Sequence, residues 1–243
     1  MRGNPKGDYA GGRFQGITPE DRAMIEAALP FTMTSVPRLQ AVIDAVRYCV
    51  DRKIPGSFAE CGVWRGGSVL AMILTLQKLG VDDRDIYLFD TFEGMSEPTE
   101  RDTSPYAPDA LDTWREAERE GIRAYPRLFS PEVFNEGEVR STLRSTGYPA
   151  ERLKMVRGTV EETLPAATPD QLALLRLDTD WYESTLHELR HLYPVLADGG
   201  VLIIDDYGFW DGARRAVDEY FATVAPPLLL SRTDFTGRIA VKH

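Results

Sequence analysis

The chain is poor in cysteine, in histidine, in positive charge and in long apolar runs, and each shortage excludes something. Two cysteines, Cys49 and Cys61, in 243 residues are too few for a disulfide framework. A reducing, cytoplasmic compartment is expected, with both thiols in apolar surroundings. No apolar run approaches the roughly 20 residues that a bilayer-spanning helix needs. The opening MRGNPKGDYAGGRFQG has no signal-peptide core, so no membrane partner is expected. There are 28 Lys and Arg against 38 Asp and Glu, a net charge of −10. That speaks against a nucleic-acid partner, because backbone binding needs a basic face. Three motifs are also missing: the GxxxxGK[ST] P-loop, the GxSxG elbow and the GxGxxG fingerprint. Their absence disfavours P-loop phosphoryl transfer, serine acyl transfer and dinucleotide redox chemistry.

What is present is a repeated pattern of apolar run, acid or glycine, then helix. Hydrophobic residues make up 43% of the chain, enough for one substantial core. Residues 1–17 are Gly-rich and without period, and read as a flexible arm that suits a homo-oligomer. Residues 18–243 read as a single domain. Thr18-Pro19-Glu20-Asp21 has the form of a helix start. An amphipathic helix follows on Leu39, Val42, Ile43, Val46 and Val50. The polar run Phe31–Ser35 stands before it, where a helix start could hold an anionic group.

Residues 56–61 predict a strand that ends in Glu60 and Cys61 and turns through Gly62-Val63-Trp64-Arg65-Gly66-Gly67-Ser68 into a helix over 69–79. Residues 85–90 predict a second strand ending in Asp90, an acid placed where nucleotide-type folds bind ribose hydroxyls. Residues 91–152 exceed a simple crossover and carry helical pieces at 111–120 and 131–145. A long excursion after a strand's carboxyl end is expected to serve as a lid or substrate element. A third strand at 153–156 leads to Gly158, Thr159 and Val160. Two further apolar runs, 174–177 and 201–204, end in Asp178 and in Asp205-Asp206, with a helix over 184–196 between them. If both are parallel strands, three carboxylates converge on one edge, a set of oxygen donors suited to Mg²⁺. A helix at 211–221 and two strands at 226–230 and 238–242 complete a doubly wound, mostly parallel α/β sheet of seven strands. His187-Glu188-Leu189-Arg190-His191 matches the letters of a zinc-protease helix, yet it follows a buried-type strand away from the acidic edge. Packing histidines are the expectation there.

These motifs carry a resemblance. Phe31–Ser35, ECGVWRGGS at 60–68, LFDTFEGM at 88–95, LLRLDTDWYEST at 174–185 and IIDDYGFWDGARRAVDEYF at 203–221 resemble the macrocin O-methyltransferase (TylF) family. The resemblance implies a class I methyltransferase fold and methyl transfer from S-adenosylmethionine, assisted by Mg²⁺, to a hydroxyl of a small molecule, notably an antibiotic sugar. Carried over, it implies that Glu60, Cys61, Gly62, Val63, Trp64 and Ser68 hold the cofactor's methionine part, with Thr32 and Met33 closing over it. It implies Asp90 on the ribose with Thr91, Phe92 and Gly94 beside it, and Thr159 and Val160 at the adenine. Asp178, Asp205 and Asp206 would hold Mg²⁺, with Asp178 also touching the cofactor and serving as general base. Thr179 stands where the family usually has Gly, and Trp181 where it has Leu, both beside that aspartate. A catechol-type enzyme and a non-catalytic cofactor-binding scaffold are the alternatives on the same fold.

Overall fold

The computed structural model describes residues 14–224 and 226–243. The first part of the expected arm, residues 1–13, lies outside them. In chain order the helices are α1 (Pro19–Ala28), α2 (Val36–Asp51), α3 (Gly67–Lys78), α4 (Ala110–Glu120), α5 (Pro126–Phe129), α6 (Glu136–Arg144), α7 (Val160–Thr163), α8 (Tyr182–Leu192) and α9 (Asp211–Phe221). The strands are β1 (Ser57–Cys61), β2 (Ile86–Asp90), β3 (Leu153–Arg157), β4 (Leu172–Leu177), β5 (Leu196–Ile204), β6 (Ser231–Arg232) and β7 (Arg238–Val241). They form one seven-stranded sheet in the order β3-β2-β1-β4-β5-β7-β6. β1 to β5 run parallel, and β7 lies antiparallel to both β5 and β6. The expected doubly wound sheet is therefore the observed one.

Helices cover both faces, and strand parity decides which residue meets which layer. Phe58, Leu174, Val201 and Ile203 face a core shared with α1, α2 and α3. Ala59, Cys61, Leu175, Leu177 and Leu202 face the core under α8 and α9. Thr18 caps α1 by accepting from the Asp21 amide at 3.1 Å, as its sequence position predicts. Four boundaries differ from expectation. Helix α8 ends at Leu192, because Pro194 lacks the N–H that would continue it. β5 then begins at Leu196 and runs through Gly199-Gly200 to Ile204. Residues 226–230 are not a strand: Pro226 and Pro227 have no ladder donor, and the edge pair forms one step later at Ser231–Arg232. In the insertion, helix α6 starts at Glu136 behind its Asn135 cap, later than the expected 131.

The order of strands reverses between β1 and β4, and a crevice opens there beyond their carboxyl ends. Register places its walls. Cys61 pairs with Leu177, and Leu177 pairs with Ile204, so Gly62, Asp178 and Asp205 follow level with one another. The ladder continues one step further, as Asp178 N donates to Cys61 O and Asp205 N to Leu177 O, both at 2.9 Å. Gly62 has φ +79°, and a Cβ there would stand 2.0 Å from the Asp178 carbonyl oxygen. Only glycine lets the two strand ends approach this closely. Gly62→Ala is expected to cost about 2 kcal/mol or more through left-handed strain and the carbonyl clash. Urea unfolding followed by circular dichroism measures it, and an unchanged midpoint would refute the close-approach argument.

Candidate active site

A cavity of about 380 Å³ occupies the crevice. Thr32, Met33, Glu60, Gly62, Val63, Trp64, Ser68, Asp90, Thr91, Gly94, Thr159, Val160, Asp178, Asp205 and Asp206 all line it. Two residues assigned by resemblance do not. The Cys61 side chain is buried in the core on the α8 side, and Phe92 packs in the opposite core, near Phe134. Strand alternation turns Cys61 away from the face that carries Glu60.

The centre of the site is a cation that the sequence reading passed over as part of an apolar run. Arg176, 1% exposed, lies in β4 with Leu on either side. Its guanidinium bonds Glu60, Asp205 and, at 2.6 Å, Asp178, and it donates to the Thr34 hydroxyl at 3.3 Å. Glu60 and Arg176 are register partners on adjacent strands, so their pairing follows directly from the sheet. Burial opposes the arginine's charge, yet Asp178, Asp205 and Glu60 hold its pKa well above the usual range. A charged residue amid LALLRL was the available signal, since an unpaired charge in a buried strand is too costly to persist.

A second unforeseen cation comes from the start of α2. Arg38 pairs with Asp205, and with Asp234 at 3.1 Å. The Thr34 hydroxyl donates to Asp205 at 3.1 Å. The anion gathered at the start of α2 is thus the protein's own Asp205 rather than a ligand.

The acids are nonetheless in excess of these cations. Carboxylate oxygens of Asp178, Asp205 and Asp206 lie within 4.8 Å of one another. Burial, and then the neighbouring acids, raise Asp206 well above the carboxylate range. Asp206 Oδ2 is buried without a hydrogen-bond partner. An all-oxygen trio with an unsatisfied buried acceptor fits a hard divalent cation. Asp180, which the sequence reading also passed over, lines the same cavity with φ +69°. Burial, then the Asp178 charge, push it up to about 8. Among the described ion pairs none involves Asp180.

The Gly-rich turn after β1 is held by Asp90. One carboxylate oxygen accepts from the amides of Val63 and Trp64 at 2.7 and 3.0 Å, and the other from Phe92 N at 2.6 Å. Burial pushes this carboxyl up, and the three amides oppose the shift. Trp64 and Phe92 have φ +46° and +54°, so the turns after β1 and β2 are strained around that carboxylate. Glu60 Oε2 is buried, faces no hydrogen-bond partner and belongs to a residue lining the cavity. It is an acceptor available to a cationic group. Thr159 caps α7 in a capping box with Glu162, and Glu161 accepts from the Ser184 hydroxyl at 2.8 Å.

The insertion is held at both flanks. Asp102, 1% exposed, accepts from Thr99 N and from Tyr182 N, each at 2.7 Å, and so caps α8. Phe129, Phe134, Val139 and Leu143 enter the core above α3. Trp181 is buried, stacks edge to face on Trp210 at 4.9 Å and donates to Ser96 O at 3.0 Å. In the H-E-x-x-H segment, Glu188 is fully buried and faces Thr179 and Cys61. His187 and His191 are partly exposed, their rings 4.4 Å apart. Among the described residues the aspartate trio is the only such metal-competent group.

An open, mostly parallel sheet with a Gly-rich turn at its switch point and an acid-lined cavity beside it has the architecture of a class I S-adenosylmethionine-dependent methyltransferase. The family model described as Macrocin-O-methyltransferase (TylF) matches residues 17–238, and the chain belongs to that family. It is 35% identical over 191 residues to the demethyldecarbamoylnovobiocin O-methyltransferase of Streptomyces niveus, covering 79% of this chain and 68% of the relative. It is also 35% identical over 210 residues to the 8-demethyl-8-(2,3-dimethoxy-alpha-L-rhamnosyl)-tetracenomycin-C 4'-O-methyltransferase of Streptomyces olivaceus, covering 85% and 73%. The solved structure of the O-methyltransferase NovP superposes with a TM-score of 0.73 at 32% identity, covering 87% of this chain and 82% of that one.

Two outcomes test the buried network. Arg176→Met leaves three carboxylates facing one another, and removing one partner of a buried pair costs about 3–5 kcal/mol. The thermal midpoint should fall by roughly 6–20 °C, with part of the loss recovered in Arg176→Met combined with Glu60→Gln. For pH, burial, opposed by Arg176, pushes Glu60 from its ordinary value up to about 7. The folded state therefore binds more protons than the unfolded state between about 4.5 and 7. This contribution to stability is complete below that window and is lost as pH rises through it. The metal-free protein should lose thermal stability from pH 4.5 to 7, and Glu60→Gln should flatten that slope.

Proposed function

We propose that the protein methylates a hydroxyl on the sugar of a glycosylated natural product, with Mg²⁺ held by Asp178, Asp205 and Asp206. The observation that carries this reading is that Glu60, the Gly62 turn and the aspartate trio all line one cavity. The sugar assignment draws on the relative from Streptomyces olivaceus, whose name specifies a rhamnosyl-bearing acceptor. S-adenosylmethionine supplies an electrophilic methyl group, and Mg²⁺, when bound, supplies a Lewis acid that lowers the pKa of the acceptor hydroxyl.

The chain's own residues divide the remaining work. Glu60 Oε2, unpartnered and backed by Arg176, accepts from the ammonium of the cofactor's methionine part. Asp90, its three amide bonds fixing the turn, has acceptor capacity left for ribose hydroxyls. Thr159 and Val160 flank the adenine, while Thr32 and Met33 cover the methionine part. Met33 is the exposed member of that pair. Residues 91–152 shape the acceptor side and serve as its cover. Asp178 is committed to Arg176 and to the metal position. Asp180, free of any such cation, takes the hydroxyl proton in place of the Asp178 base expected from sequence. Positioning the hydroxyl against the methyl carbon supplies much of the rate.

Asp205→Asn and Asp206→Asn should abolish Mg²⁺-stimulated transfer, and EDTA should do the same to the wild type. Full activity in chelator would sink the metal-assisted reading. Asp180→Asn should lower kcat by about 10²–10⁴-fold with cofactor affinity retained. If Asp178→Asn alone does so with metal affinity intact, the base is Asp178.

A further inference from the structure

The cavity carries an aromatic wall that the transfer chemistry leaves unused. Trp181, next to Asp180 in the chain, meets Trp210 at 4.9 Å between centroids. Trp210 meets Phe209 at 5.2 Å, Phe209 meets Tyr106 at 5.9 Å, and Tyr106 meets Phe235 edge-on at 4.7 Å. Trp181, Phe209 and Trp210 line the cavity. Tyr106 and Phe235 are 59% and 45% exposed, an unusual placement for two adjoining large rings. Five rings therefore run from beside the carboxylates to solvent.

The wall is assembled from four separate stretches, and each is tied down. The Ser104 hydroxyl donates to Phe209 O at 2.6 Å and accepts from Tyr106 N at 3.2 Å. Gly208 N donates to Thr236 O at 2.9 Å. Thr236 N donates to Asp234 Oδ1 at 2.9 Å, and Asp234 is paired with Arg38. The exposed rings thus sit on a fixed backbone, and fixed rings lose little entropy on contact with a ligand.

We propose that this wall is a subsite for a planar aromatic group borne by the acceptor, with Tyr106 and Phe235 selecting acceptors whose sugar is joined to such a group. The inference rests on the glycoside reading above. A sugar hydroxyl directed at the aspartate trio leaves the rest of its molecule extending along the wall toward solvent. Ring faces and edges there offer stacking to a flat apolar surface. A patch continuous with the cavity lining fits a ligand that occupies both. A second copy of this chain, the competing occupant of an exposed apolar patch, would use the outer rings alone.

The test titrates two probes into the full chain loaded with S-adenosylhomocysteine and Mg²⁺: 4-nitrophenyl α-L-rhamnopyranoside and methyl α-L-rhamnopyranoside. Calorimetry is run on the wild type, Tyr106→Ala, Phe235→Ala and the double variant. The nitrophenyl glycoside should bind about tenfold more tightly than the methyl glycoside, and each substitution should remove about 2–10-fold of that preference. Cofactor affinity serves as the check on folding. Equal binding of the two probes overturns the proposal, as does a preference that survives the double substitution; binding of neither removes the glycoside reading, and the proposal with it. A concentration-dependent dimer in sedimentation that Tyr106→Ala disperses also overturns it, assigning the rings to a second copy. Failure to bind S-adenosylhomocysteine at the outset is a different result, and it removes the methyltransferase reading itself.

Discussion

The guanidinium of Arg176 holds the two halves of the crevice together. It ties Glu60 at the end of β1 to Asp178 and Asp205 at the ends of β4 and β5, and reaches Thr34 before α2. Such a cluster is expensive to bury and is tolerated because each charge answers another. Its geometry follows from the sheet, since Glu60 and Arg176 are paired in register and Asp178 lies two residues along the same strand direction. Any movement of β4 relative to β1 would therefore disturb the Gly62 turn and the aspartate trio together. Arg38 adds a second restraint by joining Asp205 to Asp234, which precedes β7.

Much of this architecture was legible in the sequence. Apolar runs that end in Glu60, Asp90, Asp178 and Asp205-Asp206 mark four of the five parallel strands and the edge that carries the cavity, because parallel strands place their carboxyl ends together. The acid trio was legible for the same reason. Arg176 was not, because in LALLRL a single cation reads as an interruption of a hydrophobic pattern unless one asks what would neutralise it. Arg38 sits on a polar-looking helix start, and nothing local reveals that Asp205, 167 positions away, is its partner. Cys61 was drawn toward the cavity by its neighbours in the motif, whereas strand alternation sends its thiol to the core. The misplaced ends of α8 and β5 share one cause: Pro194 and the Gly199-Gly200 pair look like a loop, yet the strand passes through the glycines.

Strain concentrates where the chemistry is. Five described residues other than glycine are left-handed, Lys53, Trp64, Phe92, Tyr125 and Asp180, and three of the five line the cavity. The fold holds Trp64, Phe92 and Asp180 there through contacts made elsewhere: Asp90 fixes the turns after β1 and β2, and the capped start of α8 fixes the turn after β4. A turn that is locally unfavourable but globally enforced has one conformation, and a methyl-transfer site that depends on alignment benefits from that.

The insertion's two anchorages decide how far a change within it can reach. Asp102 fastens its first leg to α8, and the phenylalanines at 129 and 134 sink its last leg into the core. Between them α4 exposes most of its surface and ends at Gly121, beside the exposed Ile122. The span from 111 to 122 is thus held from its two ends, and a substitution on its exposed face would leave the buried charges around Arg176 untouched.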